Sequence, residues 1–121
     1  MSRRRRILES GGTVSAGAVW QVSWVMGCPD IDSALEKARA FTLEGVAEKI
    51  RMPILIVHSV EDGLVPLEMA ERLYDECSSA DKELKVFRVE DGGSQHCLFD
   101  NTLLVSNYIA DWWVDRLRSR G

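Results

Sequence analysis

The sequence has no long apolar run. Nothing in it approaches the roughly 18 uninterrupted apolar residues of a membrane-crossing helix, so no membrane contact is expected. It has only three cysteines, Cys28, Cys77 and Cys97, too few and unsuitably spaced for a disulfide framework. Their odd number, with no secretory leader legible at the start, fits a reducing, cytoplasmic setting. No second Cys or His pair stands at ligand spacing around His96-Cys97, so neither a metal site nor a cofactor is expected. Positive charge is also short: 15 basic residues face 19 acidic ones, a net charge of −4. A phosphate-binding surface needs clustered Lys and Arg, so no nucleic-acid partner is expected. The exception is Arg3–Arg6, read as a solvated tail, with a nuclear address or phosphate patch as the alternative. It is followed at once by Ile7-Leu8-Glu9-Ser10-Gly11-Gly12, which lacks the apolar core of a signal peptide.

What remains is a globular composition. Hydrophobic residues make up 45% of the 121, too many for a disordered chain, and the length excludes two full domains or a large barrel. Residues 1–17, basic and then Gly/Ser-rich, are expected to form a disordered lead-in, and residues 18–121 a partial domain. Within it, 18–50 reads as helical. Ala18–Met26 carries Trp20 and Trp24 four apart, which predicts a helix burying one face. Gly27-Cys28-Pro29 ends it. Asp30 or Asp32 is the expected N-cap of a helix from Ser33 to about Phe41, and Gly45–Ile50 is a short helical turn before Pro53.

From residue 51 onward the pattern is strand, helix, strand, helix. Ile54-Leu55-Ile56-Val57 is the continuous β-branched run of a strand covered on both faces, as in parallel sheets. A turn at Val60–Gly63 leads to a helix whose Leu67, Ala70, Leu73, Tyr74 and Cys77 share one face. Leu84–Val89 is the second strand, expected to lie parallel to the first. A Gly92-Gly93 loop follows. The last helix runs from about Asn101 to Leu117, with Leu104, Tyr108 and Trp112, and secondarily Val105 and Ile109, facing inward. The Trp112-Trp113 pair is expected to pack.

In open α/β sheets, ligand chemistry gathers beyond the carboxyl ends of the strands. Asp62 follows the first strand and His96 the second. If the strands are neighbours, both emerge at one edge, where a carboxylate can fix an imidazole's tautomer and steady its charged form. His58, inside the apolar run, reads instead as a satisfied core histidine.

These residues resemble the last third of an α/β-hydrolase. The stretch from Ile50 to Pro66 is similar to that fold's penultimate strand with the triad acid at its end. Asp91-Gly-Gly-Ser-Gln-His96-Cys is similar to the loop carrying the triad histidine. The strings Phe41-Thr-Leu-Glu-Gly-Val-Ala-Glu-Lys-Ile50, Asp100-Asn101 and Ile109-Ala-Asp-Trp112 resemble a subgroup containing the fungal yellowish-green pigment hydrolases, which shorten polyketide chains, and the dihydroxypseudooxynicotine hydrolase. The resemblance implies the last two parallel strands of the fold with flanking helices, preceded by lid-like helices over 18–50. It implies an acyl C–C or ester hydrolase without a cofactor, acting on a small acyl or polyketide-like substrate, with Asp62 as the acid and His96 as the base. Trp20, Trp24 and Phe41 would line the pocket under it; otherwise they pack in the core.

The same resemblance exposes a gap. The fold sets its serine on a G-x-S-x-G elbow upstream of the acid, and no such string stands in this sequence. Thr13-Val-Ser15-Ala-Gly17 is the nearest decoy, without a strand before it, and Ser15 is read as a linker serine. Two expectations follow. The first is the C-terminal part of a serine hydrolase, inactive alone. The second is a non-enzymatic truncated remnant that binds, or self-associates through the open apolar edge of the Ile54–Val57 strand.

Overall fold

The computed structural model describes residues 15–119, with side chains from Trp20 onward. The four arginines and the lead-in as far as residue 14 therefore lie outside the described residues, whereas residues 15–17 already belong to the first helix. The chain divides into two compact units, Met1–Thr42 and Leu43–Gly121.

In the first unit, α1 (Ser15–Met26) packs with α2 (Ile31–Ala38). Gly27, at φ +62°, closes α1 by letting Cys28 N–H reach the Ser23 carbonyl and its own N–H the Trp24 carbonyl. This paired termination requires the left-handed conformation that glycine adopts without penalty. Asp30 caps α2, accepting from Ser33 N at 2.8 Å and from Ser33 Oγ at 2.9 Å. With Asp30 as cap, α2 starts at Ile31 rather than Ser33 and ends at Ala38 rather than Phe41. The last residues before Thr42 form short-range turns, as in the Phe41 N–H bond to the Ala38 carbonyl. Lys37 Nζ ties the two helices, donating to the Met26 carbonyl at 2.7 Å. The expected packing of Trp20 and Trp24 is corrected: they are 79% and 80% exposed, and Phe41 is exposed as well. A spacing of four puts two rings on one helical face without supplying anything to cover it.

In the second unit, a turn at Ala47–Lys49 precedes β1 (Ile54–Ser59), α3 (Leu67–Glu76), β2 (Lys82–Phe87) and α4 (Thr102–Arg118). The strands are parallel, in a register that sets Ile54 against Lys82 and Ser59 against Phe87. β2 begins two residues before the expected Leu84. Asp81 already bonds β1 through its carbonyl, which accepts from Ile54 N–H. It ends before Val89 because Asp91 turns back to accept from Arg88 N–H at 2.8 Å, starting a short helical turn. The expected face of α3 is inward: Ala70 and Cys77 are buried, and Leu67, Leu73 and Tyr74 half-buried. Lys82 Nζ closes its C-terminus, donating to the Tyr74 and Cys77 carbonyls at 2.6 and 2.9 Å, where a cation complements the helix dipole.

α4 is held to β2 by its inner residues. Tyr108 meets Phe87 edge-to-face at 5.6 Å and donates to Glu83. That bond first, then burial and the Glu83 charge, lift the Tyr108 phenol to about 12. Arg116 makes a fork onto Asp81 at 2.7 and 2.9 Å and stacks over Trp112. Trp112 is buried, but Trp113 is more than half exposed and Ile109 is exposed too, so only half of the tryptophan pair packs as expected. Among the described residues β1 pairs with β2 alone, leaving its other edge open. No described helix is long and apolar enough to cross a membrane.

Candidate active site

Two loops leave the carboxyl ends of the strands, and hydrogen bonds lace them together. Val60 N–H bonds the Phe87 carbonyl, and Glu61 N–H the Ser94 carbonyl. Glu61 Oε2 accepts from Ser94 Oγ at 2.6 Å and from Gln95 Nε2 at 3.0 Å. Buried Ser59, the last residue of β1, donates its hydroxyl to the Gln95 carbonyl at 2.7 Å. The base of the second loop is anchored by Asp100 and Asn101. The Asp100 carboxylate accepts from Ser94 and Gln95 N–H, bonds that hold its pKa below the usual range. Asn101 donates to the Gly92 carbonyl and caps α4 through Leu104 N–H. Gly93 packs closely here: a Cβ on it would stand 3.0 Å from Asn101 Cβ, so a larger residue would push on Asn101.

The lacing brings together the two side chains singled out in the sequence. His96 Nδ1 lies 2.8 Å from Asp62 Oδ2. Asp62 is held from its other side by Leu64 and Val65 N–H, each 2.9 Å from Oδ1. Its side chain is only 7% exposed. That burial raises its pKa, but the Val65 amide, His96 and the Leu64 amide together outweigh it and hold Asp62 at about 2. Asp62 is therefore an anion at any ordinary pH, and Nδ1 of His96 is the protonated nitrogen that its oxygen accepts from.

Three features were not legible in the sequence. Cys97 Sγ lies 3.2 Å from His96 Nε2, on the ring's far side from Asp62. Chain neighbours seldom converge this way. Here Cys97 does so by taking a left-handed backbone (φ +53°). His58 is not the fully satisfied core residue expected. Its Nδ1 lies 2.9 Å from both the nitrogen and the carbonyl oxygen of Ser59, but its buried Nε2 has no hydrogen-bond partner and stops 4.0 Å from Asp62 Oδ2. Finally, Val57, Val65, Leu98 and Val105 wall a pocket of about 320 Å³ that His58, Asp62, His96 and Cys97 also line.

A carboxylate anchoring one nitrogen of an imidazole that lines a pocket, with a thiol beside the other nitrogen, is an arrangement for moving a proton. The family model described as serine aminopeptidase, S33, matches residues 15–100, which include both Asp62 and His96. The chain belongs to this family of α/β-hydrolases. The parallel β1–β2 pair with its flanking helices is a small part of the α/β-hydrolase fold, as the sequence implied. The family model does not single out the pigment-hydrolase subgroup. A comparison with curated proteins gives no match.

Proposed function

We propose that this chain carries the acid and the base of a serine hydrolase triad, Asp62 and His96, in an enzyme that cleaves acyl C–C or ester bonds. The observation that supports it is the 2.8 Å bond between His96 Nδ1 and an Asp62 carboxylate already fixed by two backbone amides. Of the serine hydrolase parts, the G-x-S-x-G elbow is not in the 121 residues, and with it go the nucleophile and one oxyanion donor. Losing a single such donor costs about 10²–10³ in turnover, so these residues alone do not sustain a catalytic cycle. A polyketide-like acyl compound is the substrate class we favour. The strings around Phe41–Ile50, Gly92–Cys97 and Asp100-Asn101 support it, and the last two build the histidine loop. Two measurements test the reading. Proton NMR is expected to show a far-downfield His96 Nδ1–H signal that disappears in Asp62→Asn. The isolated chain is expected to release no more than one equivalent of alcohol from a short acyl ester. A signal insensitive to Asp62, or sustained turnover, contradicts it.

A second reading is favoured by the unpaired edge of β1. A second copy of this chain offers the same edge, so two copies can join antiparallel about a two-fold axis into one four-stranded sheet. Exposed Met52, Trp113 and Leu117 line a pocket with Pro53, the residue before β1. Ile54 and Val60 N–H both bond the β2 side, so the odd-numbered residues of β1 present their N–H groups to the open edge. Sedimentation at micromolar concentration is expected to show a dimer, and Leu55→Pro, which removes one edge-facing donor, a monomer. A wild-type monomer at the highest soluble concentration removes this reading.

A further inference from the structure

The Asp62–His96 pair does not end in open space. Cys97 Sγ occupies the Nε2 side of the ring at 3.2 Å, the position a triad nucleophile takes relative to its histidine. Reaching it requires two successive non-glycine residues in the left-handed region, Cys97 at φ +53° and Leu98 at φ +50°. Such conformations cost energy and persist where the surroundings over-determine them. Leu98 is pinned by burial, whereas Cys97 is exposed. The adjoining pocket is walled by Val57, Val65, Leu98 and Val105, and His58 contributes to the same wall. The His58 side chain is 8% exposed and its Nε2 has no partner. Nδ1 lies 2.9 Å from both Ser59 N and the Ser59 carbonyl oxygen, so in either tautomer Nε2 is the ring nitrogen left unpaired. A polar nitrogen left unpaired among apolar side chains suits the polar end of an acyl ester.

We propose that Cys97 is itself a nucleophile, activated by His96 and Asp62, which accepts a short aliphatic acyl group from an activated ester. This deepens the reading of Asp62 and His96 as an acid–base pair and rests on it. His96 Nε2 takes the thiol proton while sulfur attacks the carbonyl carbon, pushing its π electrons onto oxygen. Those electrons return as the ester C–O bond breaks, and the departing oxygen takes the proton back from His96. The products are S-acyl-Cys97 and one alcohol, with no change of oxidation state. The other thiols are placed differently: Cys77 is buried and donates to the Ile50 carbonyl, and Cys28 faces the Met26 carbonyl.

The test uses the full chain, freshly reduced and desalted, with 4-nitrophenyl butyrate as the probe. One equivalent of nitrophenolate is expected in a burst, with a butyryl group on the Cys97 peptide by mass spectrometry. Cys97→Ala is expected to abolish the burst and Cys28→Ala to leave it intact. His96→Asn is expected to slow acylation about 100-fold, the worth of a positioned base. In the native chain alone, independent of whether any variant folds, Cys97 is expected to acylate at least about tenfold faster than Cys28, an advantage lost in urea. Equal rates at the two cysteines, or a His96→Asn rate matching wild type, overturn the proposal. The downfield His96 signal is read on the same samples. If it is present while acylation ignores His96, the role of Cys97 alone falls; if it is absent, the acid–base pairing falls as well.

Discussion

Phe87→Ala is expected to destabilise the second unit by about 3–5 kcal/mol, the range for deleting a buried aromatic ring. Phe87 is 1% exposed and is the largest side chain so fully enclosed among the described residues. Its ring meets that of Tyr108 on α4 edge-to-face at 5.6 Å. Among the described residues of this unit, only Ile56, Leu98 and Trp112 are also large, apolar and buried, the rest being Ala47, Ala70 and Cys77. Small domains are stable by only about 5–15 kcal/mol, so the loss is a large fraction of the total. With a denaturant slope of about 2 kcal/mol/M, the urea midpoint is expected to fall by about 2 M. Phe87→Leu, which keeps most of the volume, is expected to cost less than about 1.5 kcal/mol. Equal midpoints for Phe87→Ala and wild type would mean that this ring does not hold helix to strand.

The effect is expected to reach the site. Phe87 stands opposite Ser59 in the register, and its carbonyl accepts from Val60 N–H. Ser59 in turn donates to Gln95, the residue before His96. The end of the strand pair is thus the platform from which both loops depart, and loosening it in Phe87→Ala is expected to weaken the Asp62–His96 bond, read from the downfield His96 signal.

That platform was legible in the sequence because it depends on patterns that one-dimensional information carries. The run Ile54–Val57 marks a strand, though of its four side chains only Ile56 is buried rather than all being covered, and the inward face of α3 repeats at helical spacing. Two strand ends fix where Asp62 and His96 emerge, and parallel pairing then brings them within one hydrogen bond. What the sequence hid depends on partners or on backbone choice. Trp20 and Trp24 share a helical face as expected, yet are exposed; periodicity identifies a face and is silent on whether anything lies against it. The bounds of β2 are set by pairing with Ile54 and by the Asp91 turn, neither of which leaves a mark in the alternation of Leu84 to Val89. Cys97 reaches His96 Nε2 only through a left-handed backbone, a conformation that no residue type there announces. His58 reads as a satisfied core histidine because it stands in an apolar run; whether its Nε2 finds a partner depends on tertiary placement, and it stops 4.0 Å short of Asp62 Oδ2.

Asp62→Asn is expected to remove on the order of 2 kcal/mol of stability near neutral pH. The folded-state carboxyl, at about 2 against an ordinary 3.8, lies nearly two units down, and each unit is worth about 1.4 kcal/mol. The sign follows from the direction. A carboxylate depressed by folding contributes its full stabilisation above about pH 4 and loses it as pH falls towards about 2. Asparagine can still accept from Leu64 and Val65 N–H through its one oxygen, but its amide nitrogen would then face the protonated Nδ1 of His96, donor against donor. The acid limb of wild-type stability alone does not isolate Asp62, because Asp30 and Asp100 are also lowered by backbone bonds and weaken over the same range. The difference between wild type and Asp62→Asn does isolate it, since those two carboxylates cancel. Chemical denaturation from about pH 6 down to pH 2 is therefore expected to give two curves that lie apart near neutrality and converge at the acid end. A constant separation at every pH would show that Asp62 acts by shape alone, and that its charge does not hold His96 in place.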